Sequence, residues 1–303
     1  MQFGIEFLNV GYTKGVGTDL KNMDNESVNV INKNKSAPMY KFRQIPSECQ
    51  IKKLVKKILF GTHLHCPRCK SRRVYKSENR YRCRDCRRPF SMTSNTWLNN
   101  MKISYEKFYL ILWCWTNNLP ILQTMKITDL SEITIREWFD KLREHIPDKH
   151  WLTPLKGTVQ MDETFFKKAA VIAAKDVERK RVVMRVVPHT NIGKNNIAQF
   201  VVRRVEPNSK LCTDGGSVYK KIEQIWPVDH QTDIHSKFEF GLTSEIEGLF
   251  GNMRTFIRRK YHHVTSSKLP GILAEFESNF NHPEYFENPT IFLENSLFLV
   301  PTC

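Results

Sequence analysis

Apolar positions change rhythm near residue 150: before it they recur every three or four residues, and beyond it they first gather into runs of strand length. Ile51, Leu54, Val55, Ile58 and Leu59 form a single stripe behind Ser47, which can N-cap a helix. Residues 105–115 are apolar and aromatic enough for a buried helix, with Trp113, Cys114 and Trp115 as core. Asn117-Asn118-Leu119-Pro120 ends it, and a short helix at 121–126 follows. Thr128-Asp129-Leu130-Ser131 supplies caps for another, whose stripe is Ile135, Trp138, Phe139 and Leu142. This pattern suits a helix-turn-helix whose last helix enters a major groove, and it suits a plain helical connector equally.

Beyond 147–154 the pattern predicts strands at 158–166, 169–176 and 181–188, the latter two as a hairpin. Helix 195–205, strand 210–213, helix 218–226, strand 230–234 and helices 245–259 and 268–279 follow, a mixed α/β order. The expected organisation is a flexible arm at 1–45, a helix plus ribbon at 46–100 and a helical DNA-binding region at 101–150. An α/β domain at 155–285 and a tail at 286–303 complete it.

Charge and cysteines add chemistry to this frame. The 303 residues carry 47 Lys and Arg against 31 Asp and Glu, a formal net charge of +16, which points to a polyanionic partner. No stretch approaches the roughly 18 apolar residues that would span a bilayer, and Met1 to Lys14 lacks a secretory pattern. A reducing compartment is therefore expected, the nucleus in a eukaryotic host and the cytoplasm otherwise, where cysteines serve as metal ligands or free thiols more often than as cystines. Cys66-Pro67-Arg68-Cys69 and Cys83-Arg84-Asp85-Cys86, thirteen residues apart, have the spacing of a four-thiolate structural Zn²⁺ site, with a pair of disulfides as the alternative. Residues 61–90 hold ten Lys or Arg against Glu78 and Asp85, so the ribbon itself is a candidate DNA contact, with Arg82 and Arg84 at its centre.

Acids supply the remaining chemistry. Strand alternation puts Asp162 on one face with Gln160 and Thr164, and Glu163 on the other with Val159 and Met161. Asp214 ends a strand before Gly215 and Gly216, which let a substrate backbone approach. Glu247 shares a helix face with Gly251, Arg254 and Arg258, a metal ligand followed by a track for phosphates. Three such carboxylates suit a two-Mg²⁺ phosphoryl-transfer centre; capping and surface acids are the plainer reading of the same spacing. Arg136 on the last helix of the helical region is a further candidate DNA contact. The run Arg258-Arg259-Lys260 reads as a phosphate contact, a nuclear-entry signal or a solvated helix end. His230 and His235 flank a strand near Asp214, and His262-His263 suits a helix end.

Taken in order, several of these motifs resemble the Merlin-type DNA transposases and their bacterial insertion-sequence relatives. They are Cys-Pro-x-Cys, Arg80-Tyr81-Arg82-Cys83-Arg84-x-Cys86, Phe90-Ser91-x-Thr93, Met161-Asp162-Glu163-Thr164, Thr213-Asp214-Gly215, Ile246-Glu247-Gly248 and Tyr261-His262-His263-Val264. The resemblance covers residues from about 45 to 281. It implies an RNase H-like core, a DDE triad of Asp162, Asp214 and Glu247 holding Mg²⁺ or Mn²⁺, and recognition of terminal inverted repeats in double-stranded DNA by the zinc and helical regions. It also implies cut-and-paste cleavage and strand transfer by a homo-oligomer. Glu245 is the neighbouring acid that competes for the third place. A repurposed DNA-binding protein and a metal nuclease without strand transfer are the rival readings.

Overall fold

The computed structural model describes residues 45–147, 153–188, 192–233 and 242–298. Residues 1–44 of the expected arm, and His235, lie outside them. Helix α1 (Glu48–Phe60) starts at Ser47, where the Gln50 side chain accepts the Ser47 backbone N–H at 2.8 Å, satisfying a donor that a helix start otherwise leaves unpaired. It buries Ile51, Val55, Leu59 and Phe60, worth roughly 1.5–3 kcal/mol for each large aliphatic or aromatic side chain. Strands β1 (Val74–Ser77), β2 (Arg80–Cys83) and β3 (Pro89–Phe90) form a small antiparallel ribbon. Three helices follow: α2 (Tyr105–Thr116), α3 (Ile121–Thr128) and α4 (Glu132–Glu144), whose buried stripe is Ile135, Trp138, Phe139 and Leu142 as the periodicity predicts.

The α/β domain is built on strands β4 (Thr158–Phe166), β5 (Ala169–Asp176), β6 (Arg181–Pro188), β7 (Lys210–Asp214) and β8 (Asp229–Asp233). Their order is β6-β5-β4-β7-β8; β4, β5 and β6 are antiparallel, while β7 and β8 run parallel to β4. A three-strand meander extended on its first strand by two parallel strands is the RNase H-like arrangement. Strand β5, flanked on both edges and covered on both faces, is buried along its whole length and therefore alternates little. Helix α5 (Lys194–Arg204) packs Ile197, Phe200 and Val201 against Val159, Met161 and Leu211 to form the core on one face. Helix α6 (Ser244–Lys260) lies on the other. Helix α7 (Leu269–Asn281) covers the free edge of β6, where Asn281 accepts from Val182 N–H and Glu277 from Met184 N–H, each at 2.8 Å.

Three expectations need correcting. Residues 218–226 do not form one helix but two 3₁₀ turns, Ser217–Tyr219 and Ile222–Gln224, separated by Lys221 in the left-handed region at φ 66°. Residues 286–298, for which the sequence predicts a tail, belong largely to helices α8 (Pro283–Glu287) and α9 (Pro289–Ser296). Phe286 and Phe292 of this segment pack on the Trp115 ring, so the chain end completes the core of the helical region.

Lys260 is the third correction: its side chain is buried, not solvated or available to phosphate. Its ammonium donates to Trp115 O at 2.7 Å and Asn118 Oδ1 at 3.0 Å, and it pairs with the buried carboxylate of Glu275. Glu275 also accepts from Tyr261 and Arg143. The aromatic rings of Trp115, Phe139 and Phe256 surround the ammonium at 5.2–5.6 Å from their centroids. This network joins α2 and α4 to α6 and α7. Removing one partner of a buried pair leaves the other charge uncompensated, so Lys260→Ala is expected to cost about 3–5 kcal/mol. Thermal unfolding should shift down by on the order of 10 °C; a shift below about 2 °C would show that Glu275 is satisfied by Tyr261 and Arg143 alone. No described helix is long and apolar enough to cross a membrane.

Candidate metal centre and carboxylate site

The two Cys-x-x-Cys turns converge. Cys66 Sγ lies 3.6 Å from Cys86 Sγ, and Cys69 Sγ lies 3.5 Å from Cys83 Sγ. All four sulfurs fall within 4.8 Å of one another. A tetrahedron of sulfurs about 2.3 Å from a zinc ion has edges of about 3.8 Å, so the donor set fits Zn²⁺ and far exceeds the separation of a disulfide. Backbone N–H groups of Cys86 and Asp85 pull the Cys83 thiol down to about 7 while Cys69 beside it is pushed up to about 12, a split between two sulfurs that hydrogen-bond one another. Local chain geometry supports the turns: Lys70 and Arg87, each just past a knuckle, take positive φ at 60° and 56°. Asp85 is engaged by Ser71 and by Arg73 at 3.0 Å, and Tyr81 stacks on Phe90 across β2 and β3. Among the described residues, these cysteines are the one group of three or more potential ligands gathered tightly enough to hold a single ion.

Asp162, Asp214 and Glu247 come from β4, the end of β7 and α6. Helix α6 is laid along β4 by two ties. The Gln160 amide oxygen accepts from Glu245 and Ile246 N–H at 2.9 and 3.0 Å, capping the helix start, and Arg254 donates to the Thr164 hydroxyl. Along the strand these ties are about 13 Å apart, and along the helix about 12 Å. Gln160, Asp162 and Thr164 therefore face α6 together, with Asp162 midway. Burial raises the Asp162 carboxyl to about 7, and the charges of Glu163, Asp214 and Glu247 push it the same way. Those charges make the three acids electrostatic neighbours, though their oxygens are not drawn together as tightly as the four sulfurs.

The surrounding residues separate the competing acids. Glu245 is ion-paired with Lys175 of β5, whereas the Glu247 side chain is exposed and has no hydrogen-bond or ion-pair partner among the described residues. Asp214 Oδ1 accepts from Gly216 N–H at 3.0 Å, and a Cβ on residue 216 would stand 2.8 Å from that oxygen, so the turn requires glycine by close approach. Glu163, on the opposite face of β4, is raised by burial and accepts from the Tyr219 hydroxyl. His230 is held by Thr213 at 2.9 Å and lies 3.6 Å from Glu223, an arrangement that engages both ring nitrogens.

A buried acid raised this far predicts a measurable pH effect in the metal-free protein. The folded state holds the Asp162 proton more tightly than the unfolded state, so stability falls as pH rises from about 4 through 7. Asp162→Asn removes that loss and should stabilise by about 1–2 kcal/mol at pH 8, after allowance for solvent contact, with no gain at pH 4. Melting temperatures at the two pH values check this; equal shifts at both would place the effect elsewhere.

The candidate DNA-contact residues occupy three places. Arg82 and Arg84 are exposed on the ribbon, the latter 5.6 Å from the Tyr75 ring centroid. Arg136 projects from α4 but is paired with Glu132 at 2.7 Å. Arg254 and Arg258 are exposed on the Glu247 face of α6.

Two family models match parts of this chain. Residues 46–89 match the transposase zinc-ribbon domain, and residues 166–281 match the ISXO2-like transposase domain, a span that contains Asp214 and Glu247 and begins just after Asp162. The insertion element iso-IS1N protein InsA of Shigella dysenteriae is 49% identical over 39 residues, 11% of this chain and 43% of that protein, so the chain spans less than half of this relative. Among solved structures, the catalytic core domain of BIV integrase overlaps at 15% identity and a TM-score of 0.28, covering 40% of this chain and 80% of that one. The simian T-cell lymphotropic virus intasome in complex with the PP2A regulatory subunit B56 gamma overlaps at 14% identity and a TM-score of 0.32, covering 54% and 68%. Both superpositions are loose, and the fold rests on the strand order given above.

Proposed function

We propose that this chain, an insertion-sequence-type transposase with an N-terminal zinc ribbon, cleaves DNA at the ends of its element and joins the freed 3′-hydroxyl to a target duplex. The observation that carries this reading is the grouping of Asp162, Asp214 and Glu247. Asp162 is raised by burial and by the charges of Glu163, Asp214 and Glu247, and the Glu247 side chain has no hydrogen-bond or ion-pair partner among the described residues while Glu245 is taken up by Lys175. A carboxylate-only donor set suits a hard divalent cation, Mg²⁺ or Mn²⁺. Bound there, such an ion would activate the attacking oxygen and stabilise the leaving one.

The chain's own residues do the rest. Gln160 and Thr164 fix α6, and so Glu247, against the strand that carries Asp162. The glycine turn beyond Asp214 lets the Gly216 backbone N–H reach the Asp214 carboxylate, and Arg254 and Arg258 continue the Glu247 face as phosphate contacts. Arg82, Arg84 and Arg136 serve recognition of the terminal repeats by the ribbon and helical region. Two copies acting on two ends would assemble a dimer or larger complex, an expectation from family analogy.

The test is a strand-transfer assay on labelled duplexes bearing the element's own ends, with Mg²⁺ or Mn²⁺ and a target duplex. Joined products are the expected result. Cut ends without joining would reduce the reading to a nuclease, and binding without cleavage would leave a DNA-binding protein only.

A further inference from the structure

The second acid of the Asp162-Glu163 pair has no place in the chemistry above. Alternation turns Glu163 away from α6, yet it is linked to the same site by another route. Its carboxylate accepts a hydrogen bond from Tyr219, a side chain only 1% exposed and packed with Val159, Met161 and Ile222 in the sheet core. Tyr219 N–H donates to Gly216 O at 3.2 Å, and the Tyr219 ring edge stands 3.4 Å from where a Gly216 Cβ would be. Gly216 N–H in turn holds Asp214 Oδ1 at 3.0 Å. Four residues therefore form one contact path, Glu163 to Tyr219 to Gly216 to Asp214, which ties the end of β7 to the neighbouring strand β4.

Resting on the carboxylate reading above, we propose that Glu163 and Tyr219 are positioning residues: together they clamp the Gly215-Gly216 turn and set the orientation of Asp214. Glu163 acts as a hydrogen-bond acceptor for tyrosine and binds neither metal nor substrate. The chemistry of that role separates it from a ligand's. An amide oxygen can accept from a phenol as a carboxylate does, but a neutral amide is a poor replacement for a charged oxygen ligand to a divalent cation.

The experiment compares Glu163→Gln, Glu163→Ala, Tyr219→Phe and the Glu163→Ala/Tyr219→Phe double variant, with Asp162→Asn and Asp214→Asn as references. Strand transfer is measured alongside Mn²⁺ affinity, read from the spin-resonance signal of free Mn²⁺ in the absence of turnover. Glu163→Gln should stay within about threefold of the parent in both readouts. Glu163→Ala and Tyr219→Phe should each lose about 10–100-fold in transfer and bind Mn²⁺ several-fold more weakly, with DNA-end affinity unchanged. The double variant should be no worse than the poorer single one, because one shared contact is lost. A Glu163→Gln variant as inactive as Asp162→Asn would overturn the proposal by making Glu163 a ligand, and an unaffected Tyr219→Phe would overturn it by removing the clamp. Full transfer in Asp162→Asn and Asp214→Asn would instead bring down the carboxylate reading, and this inference with it.

Discussion

Single replacement of Asp162, Asp214 or Glu247 by alanine should lower strand transfer by about 10³-fold or more, some 4 kcal/mol of barrier, while leaving binding to the element's ends within a few-fold. Burial and the charges of Glu163, Asp214 and Glu247 together raise Asp162, so each truncation removes a charged oxygen from a site whose value lies in collecting negative charge for a cation. Neither Glu247 nor Asp162 makes the fold: the Glu247 side chain is exposed with no hydrogen-bond or ion-pair partner among the described residues, and Asp162→Asn should even stabilise the metal-free protein. Lost transfer in a folded, DNA-binding variant would therefore report chemistry and not damage. Glu245→Ala is the informative control. It breaks the ion pair with Lys175 and should cost some stability, yet its effect on transfer should stay within about tenfold of the parent. Equal loss in the Glu245 and Glu247 variants would withdraw the assignment of Glu247.

Removal of zinc should unfold the ribbon outright while leaving the α/β domain folded. The ribbon's strands are four, four and two residues long, and its buried apolar content is little more than Cys66, Cys83 and Phe90. A unit of that size cannot offset its own chain entropy by burial. A structural Zn²⁺ held by four thiolates contributes about 10–16 kcal/mol in small domains, more than the unit's other interactions combined. Chelation, or Cys83→Ser, should expose residues 61–92 to protease while the fragment from 153 on stays protected, and metal analysis of the parent should find one zinc per chain. DNA-end binding should fall with the ribbon, and the parent's affinity should drop steeply with salt, since phosphate contacts displace counterions. A ribbon that remains protease-resistant without metal would overturn the assignment.

Much of this architecture is legible in the residues because the relevant information is local. The bounds of β4, β5 and β6 follow from uninterrupted strand-length runs separated by charged turns, and the stripe of α4 follows from spacing behind the Ser131 cap. The cysteine spacing foretells the sulfur cluster because a tight turn dictates which atoms can meet. Misreadings arise where a distant partner decides the outcome. Val218, Ile222 and Trp226 have helical spacing, but the left-handed backbone at Lys221 interrupts the segment, and Tyr219 is recruited by Glu163 from another strand. Lys260 looks solvated in a basic run because Glu275, Trp115 and Asn118 reach it only through folding. The choice between Glu245 and Glu247 likewise depends on Lys175, seventy residues away, which periodicity cannot reveal.

The covering of β6 by α7 also bears on how these molecules can meet. Because Val182 and Met184 spend their outward amides on Asn281 and Glu277, a strand from a neighbouring molecule finds no open ladder there. The opposite border, β8, is five residues long and bracketed by Asp229 and Asp233, a poor template for addition. Both borders of the five-stranded sheet are thus covered or poor templates for a strand from another copy, which guards a strongly basic protein against edge-to-edge stacking of that sheet.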